Sequence, residues 1–150
     1  MQKIISFLES YASVFLRFGM AIVILWFSFQ QFFEASSWTS YVPDGVIGMT
    51  HLSAITLVYL NAIFELVFGI LLFLGWQTRI VAFLLALHLF DIMYVVGYGE
   101  IGVRDFGLAV ATLVIFMNGA DMLCVQQKEK NIWKTEQPPE QNFQPPKRFT

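Results

Sequence analysis

Charge is what this chain has least of. Only 13% of its 150 residues are Asp, Glu, Lys or Arg, about half the roughly 25% of an ordinary soluble domain, and 57% are hydrophobic. A chain of that composition cannot cover its own surface in water. Cysteine is almost absent as well: Cys124 stands alone, which excludes an intrachain disulfide, a CxxC pair, a cysteine-based zinc site and any thiol oxidase chemistry that needs a redox pair. Cys124 closes an apolar run and reads as a packing thiol. There is no Gly-rich flavin fingerprint and no metal cluster motif to carry electrons. Histidine is limited to His51 and His88, at different levels of the chain, so His88 lacks a second histidine for a bis-histidine haem. No basic stripe interleaves with aromatics, and the basic residues of the last part are mixed with Glu129, Glu136 and Glu140, so nucleic acid is not an expected partner.

What is present is a set of long apolar runs. Val14 to Phe33, Ala54 to Leu74, Arg79 to Tyr98 and Asp105 to Cys124 each approach the ~20 residues that cross a bilayer as a helix. The expected fold is therefore an all-α membrane protein, a four-transmembrane-helix antiparallel bundle over residues 1–125. Turn residues separate the runs: Pro43-Asp44-Gly45, then Gly75-Trp76-Gln77-Thr78, then Gly97, Gly99 and Gly102. The second break is short enough to force a helical hairpin, and the first loop has room for a short interfacial helix around Val46 to Leu52. Counting basic residues near span ends puts Lys3, Arg17, Arg79, Lys128, Lys130 and Lys134 on one side and only Arg104 on the other. Both termini are then expected in the cytoplasm, the protein being multi-pass in the inner membrane with the lipid bilayer as its first partner. Cleavage of the first span as a signal peptide would put the basic tail on the wrong side. Trp38 and Tyr41 on the outer side and Trp76 on the inner side fit interfacial belts. From Gln126 the composition turns Gln-, Glu- and Pro-rich, with Pro138-Pro139 and Pro145-Pro146, and a disordered tail is expected.

The informative residues are ionisable ones inside the runs. Glu65 lies nine residues before Leu74, and His88 nine residues after Arg79; at 1.5 Å per residue both reach roughly 14 Å into a core about 30 Å thick. Asn61 and Asp91 lie about one turn further on. Four-apart Asn61 and Glu65, and three-apart His88 and Asp91, each share a helix face, so the spacing predicts two rungs across the hairpin, Glu65 with His88 and Asn61 with Asp91. A carboxylate at that depth is costly unless it is protonated, paired with an imidazolium or set against a wet cavity. Two potential anions and an imidazole exceed what interhelical hydrogen bonding alone requires, although such bonds are the competing account. A metal held by Glu65, His88 and Asp91 has suitable ligand types but only generic spacing, and none is assigned. Arg104 and Asp105 are expected to open the last span, an acid in the first turn suiting the helix dipole, with Arg104 folding inward as a gate as the alternative. Asn118 and Asp121 are expected to end that span. Ala82 with Ala86, and Gly107 with Ala111, are small pairs that permit close helix approach.

The stretch Glu65-Leu-Val-Phe-Gly69, followed by Leu72, Gly75, Thr78 and Arg79, resembles the DoxX family (DoxX/DoxD-like) of four-helix membrane proteins, whose second span carries a Glu, a nearby Gly, an apolar run and a Gly-x-x-Thr-Arg turn. Arg17 at the start of the first span is similar too, while Ser28 and Gln31 stand where that pattern has a Gly and a Lys. By position, Glu65 and Arg79 are the family-like residues, Arg79 at the turn. The resemblance spans residues 14 to 124 and implies similarity to the small membrane subunit of thiosulfate:quinone oxidoreductase and to membrane partners of cytoplasmic redox enzymes. It therefore implies an accessory or quinone-proximal subunit working with a soluble or membrane redox partner, with quinone as the ligand class. Transport of a small solute or protons through Glu65, His88 and Asp91 is the rival reading, and a structural partner-binding role a third; whether the chain is an enzyme stays open. Exposed small-residue faces also leave homo-oligomerisation open.

Overall fold

The computed structural model describes residues 2–97 and 99–125, with side chains described from Tyr11 onward. The described part is all-helical: α1 (Gln2–Phe33), α2 (Ala35–Trp38), a 3₁₀ turn (Thr39–Tyr41), α3 (Asp44–Thr50), α4 (Ala54–Leu74), α5 (Thr78–Val96) and α6 (Glu100–Asn118). The tail expected from Gln126, and Tyr98 at the expected end of the third span, lie outside the described residues. Three stretches are long and apolar enough to cross a membrane, Tyr11–Phe33, Ala54–Leu74 and Thr78–Val96. Helices suit that solvent because each closes its own backbone hydrogen bonds. α6, where the fourth span was expected, is not among these three stretches. α6 begins at Glu100, not Asp105, and ends at Asn118 because Gly119 turns the chain out of the helix at φ +77°.

Local chemistry sets the other boundaries. Ser53 caps α4, its hydroxyl accepting from the Thr56 N–H at 3.3 Å, as an N-cap serine should. At the far end Gly75 adopts φ +69°; its N–H donates to the Leu72 carbonyl and the Trp76 N–H to the Leu71 carbonyl. That is a Schellman ending, and it folds α4 back into α5 through three residues. The first loop forms a short helix slightly earlier than expected, at Asp44–Thr50, closed by His51 in the left-handed region.

α1 packs along α4 and α5 along α6, and the two pairs meet through α1 with α6 and α4 with α5. Small residues allow this. Ala21, Ala62, Ala82 and Ala109 are fully buried, whereas Gly107 is exposed and takes no part in the expected close approach. That role falls to Gly102, where a methyl group would run into the Gly97 carbonyl. An apolar core of Met20, Ala21, Ile24, Leu72, Val81, Leu85 and Ile115 fills the end nearer the α4–α5 turn, here the hairpin end. The other end, under α2 and α3, is the loop end, and there the interior is polar.

Candidate functional site

The polar interior is built from three helices. Gln31, near the C-terminus of α1, donates from Nε2 to Glu65 Oε2 at 2.7 Å. Asn61, one turn before Glu65 on α4, donates from Nδ2 to Glu65 Oε1 at 3.0 Å and to Gln31 Oε1 at 2.8 Å. Each side chain thus bonds the other two in a closed triangle. Beside it Ser28 donates to the Ala62 carbonyl at 2.9 Å, tying α1 to α4 one turn away. Amide donors on both carboxylate oxygens suit an acid sunk to 5% exposure.

From α5, His88 brings Nε2 to 3.7 Å from Glu65 Oε1, so the first rung expected from depth and face is present. The gap is nonetheless wider than a hydrogen bond, and Nε2 is buried without a hydrogen-bond partner among the described residues. Phe64 packs against the imidazole, ring centroids 4.4 Å apart. The second rung is absent: Asn61 is engaged with Gln31 and Glu65, and Asp91 is exposed, with no hydrogen bond or ion pair among the described residues. Glu65 and His88 thus lie at one level, and α5 is rotated so that His88 turns inward and Asp91 toward the edge.

All four residues line one cavity of about 200 Å³ at the loop end. Its walls are apolar, including Leu57, Val58, Leu89, Ile92 and Val95, and Trp38, Tyr41 and Pro43 from the loop lie across it. Trp38 makes edge contacts with Phe27, centroids 6.1 Å apart, and leans on Tyr41 at 6.0 Å. These aromatics, expected as a belt, are therefore part of the cavity wall. Arg104 and Asp105 line the same space. Arg104 Nε donates to Asp105 Oδ1 at 2.7 Å, and its guanidinium lies 4.3 Å above the Phe27 ring. Asp105 does not open a helix; it is buried in the second turn of α6 at 2% exposure. Arg104 also borders a second, shallower pocket on the α1 side with Trp26, Gln30 and Glu34. It thus occupies the partition between the cavity and that groove, on the inward course considered for it.

The hairpin end holds a second buried charge. Arg17 has no exposed surface. Its Nε and Nη2 grip the Asp121 carboxylate at 2.7 and 3.2 Å, and Nη1 donates to the carbonyls of Leu72 and Phe73 at 2.9 and 2.5 Å. A guanidinium matches this set of acceptors because its donors form a rigid fork, and the end of α4 is where the helix dipole welcomes a cation. Burial pushes the Asp121 carboxyl up, but hydrogen bonds from Arg17 and the Leu123 N–H, with the Arg17 charge, outweigh it and hold the group below its ordinary 3.8. Beyond Asp121 the chain folds under the hairpin. Cys124 is buried, its Sγ 3.3 Å from Thr78 Oγ1 and so close to Gly75 that a methyl there would lie 2.6 Å from the sulfur. Arg79 is the second residue of α5 at this same end, its guanidinium against Gly119. It is a turn residue remote from the cavity lining.

Gln31 is the site residue that reading by ionisable groups overlooks. The available signal was its three-residue spacing from Ser28, a polar pair on one face of an apolar span, like Asn61 with Glu65.

Helices this apolar, enclosing a hydrogen-bonded carboxylate, define the class: a multi-pass membrane protein with a polar cluster between its helices. A family model described as DoxX matches residues 12–98, more than half of the chain. The chain belongs to the DoxX family. The match takes in Arg17, Gln31, Asn61, Glu65, Arg79, His88 and Asp91 and stops short of α6. No curated protein and no solved structure matches the chain significantly.

Proposed function

We propose that the protein is an accessory, quinone-proximal subunit of a membrane-associated redox system, and that its loop-end cavity receives the ring of a quinone. The observation that carries this reading is the floor of that cavity, where Glu65 and an unpartnered His88 Nε2 stand 3.7 Å apart beneath apolar walls. A few polar groups at the bottom of an apolar concavity are what orient a small amphipathic ligand, and ionisable residues inside a membrane protein mark functional sites. In this reading α6 is a fourth crossing whose charged pair, Arg104 and Asp105, is turned toward the cavity, and the hairpin end faces the cytoplasm of an inner-membrane protein. Electrons come from a soluble or membrane partner, since the chain has one cysteine and no flavin fingerprint.

The test is gentle purification from native membrane followed by mass spectrometry of bound small molecules and proteins. A co-purifying quinone or redox enzyme, with the quinone reduced about tenfold or more in Glu65→Gln and His88→Ala proteins that elute as the parent does, supports the proposal. Recovery of neither, with both variants folded, removes it.

A second reading, passage of protons or a small solute, draws on the exposed Asp91 lining the same cavity as Glu65 and His88. Flux into liposomes that Glu65→Gln abolishes would promote it. Variants that lose stability and nothing else would leave the triangle as interhelical adhesive in a structural, partner-binding protein.

A further inference from the structure

The gap between Glu65 and His88 is held open from the Glu65 side. Glu65 is fixed by Gln31 on Oε2 and Asn61 on Oε1, and moving it toward α5 would break bonds of 2.7 and 3.0 Å. The imidazole rests against the Phe64 ring, centroids 4.4 Å apart, with no hydrogen bond from Nε2 among the described residues to set its angle. At 3.7 Å the pair is too far apart for a direct hydrogen bond and close enough for one oxygen atom to reach both. His88 already lines the cavity, and χ2 of a histidine is a soft torsion, so a small turn of the ring brings Nε2 to the cavity surface.

We infer that the cavity selects a hydroxyl-bearing apolar ring, a phenol or hydroquinol, over the corresponding carbonyl form, because beside an ionised Glu65 a hydroxyl oxygen satisfies both members of the Glu65–His88 pair and a carbonyl oxygen satisfies one. The inference rests on the quinone-site reading above and narrows it to the reduced form. A ring hydroxyl accepts from the His88 Nε2–H and donates to Glu65 Oε1, leaving no buried group unmatched. A carbonyl oxygen accepts from His88 just as well, but it brings its other lone pair against a carboxylate oxygen, and it has no proton to offer. A site built around a ligand hydroxyl discriminates against the analogue that lacks it through the buried group then left unpaired. The triangle strengthens the choice: Asn61 Nδ2 spends both of its protons on Gln31 Oε1 and Glu65 Oε1, so it receives a carbonyl only by opening one of those bonds. The exposed Asp91 at the cavity's edge is also an acceptor, and a second hydroxyl on the far side of the ring would find it there.

The experiment titrates the full chain in lipid nanodiscs, under anaerobic conditions, with duroquinol, duroquinone and the dimethyl ether of duroquinol, read by calorimetry. Duroquinol is expected to bind about tenfold or more tighter than duroquinone, and the ether, which has lost the donor, no tighter than the quinone. His88→Phe, which keeps the ring volume, and Glu65→Gln should each bring duroquinol down to the level of duroquinone, with melting temperature and elution volume showing which variant retains its fold. Equal binding of duroquinol and duroquinone overturns the selectivity and leaves the quinone-site reading standing. A preference that survives in folded His88→Phe protein overturns its assignment to this pair. Binding of none of the three removes both readings together.

Discussion

Arg17 touches three parts of the fold at once, the body of α1, the carbonyl end of α4 and the segment after α6, and it does so with no contact with solvent. Removing one partner of a buried ion pair costs about 3–5 kcal/mol, because the other charge stays behind. Arg17→Ala should therefore lower the melting temperature in detergent steeply, Asp121→Asn less so, and Arg17→Lys should not restore it, since an ammonium cannot reach the carboxylate fork and two carbonyls together. The pair also has a pH signature. The Asp121 carboxyl is held below 3.8 when folded, so its contribution is present above that value and drains away as pH falls through the lower, folded one. Melting temperatures recorded from pH 6 down to pH 3 should show a decline that Asp121→Asn flattens. In the loop-end triangle, Gln31→Ala strands an acceptor of Glu65 and a donor of Asn61; about 1–3 kcal/mol is the expected loss in the same assay. At this scale the sequence was readable for Glu65, Asn61 and His88, whose levels follow from counting back to one tight turn. It was not readable for Asp91. Spans that are apolar nearly all round carry no stripe to fix their rotation, and only packing decides which of two neighbouring polar residues points inward.

Helices here approach as closely as their smallest residues permit, and two glycines separate the consequences. At Gly102 an added methyl meets the Gly97 carbonyl, backbone at the C-terminal end of α5; at Gly69 it meets the tip of Leu25 at 3.0 Å, a side chain that can move aside. Gly102→Ala should accordingly destabilise by about 1–3 kcal/mol and Gly69→Ala by clearly less, as thermal unfolding of the two purified variants would show. Element boundaries were legible wherever turn chemistry is local. Gly75 ends α4, and the bounds Ala54 to Leu74 follow from the sequence as they stand in the structure. The start of α6 lies five residues before the expected Asp105, because Arg104 and Asp105 look like a helix start in sequence. In the fold they lie in the second turn of a helix that begins at Glu100 behind the N-cap Gly99.

Across the whole molecule the usual order of surfaces is inverted. Phe15, Trp26, Tyr94 and Met117 are more than 60% exposed while Arg17, Thr112 and Asp105 are buried, the arrangement a lipid solvent demands. In water an exposed valine tolerates substitution within about 0.5 kcal/mol. Val67, 47% exposed on α4, should not: a charge near the centre of a span costs about 2.5–3.5 kcal/mol, so Val67→Asp should sharply reduce the membrane-inserted yield while Val67→Leu leaves it unchanged. Membrane class was legible from composition, since 57% hydrophobic residues leave no other solvent. A polar pocket around Glu65, His88, Asp91 and Asn61 is an expectation of the sequence, but its loop-side wall of Trp38, Tyr41 and Pro43 is not, since nothing in a linear reading tells a loop lying across an opening from one lying along the bilayer surface.

Cys124 wedged beneath Gly75 and Thr78 also fixes the sidedness of the chain in a practical way. The exit from α6 cannot lie on a different face of the bilayer from the α4–α5 turn without pulling that thiol out of its seat. A single topology reporter, fluorescent or enzymatic, fused after Val125 therefore reads the compartment of the hairpin as well as its own, and places the mouth of the cavity on the opposite side.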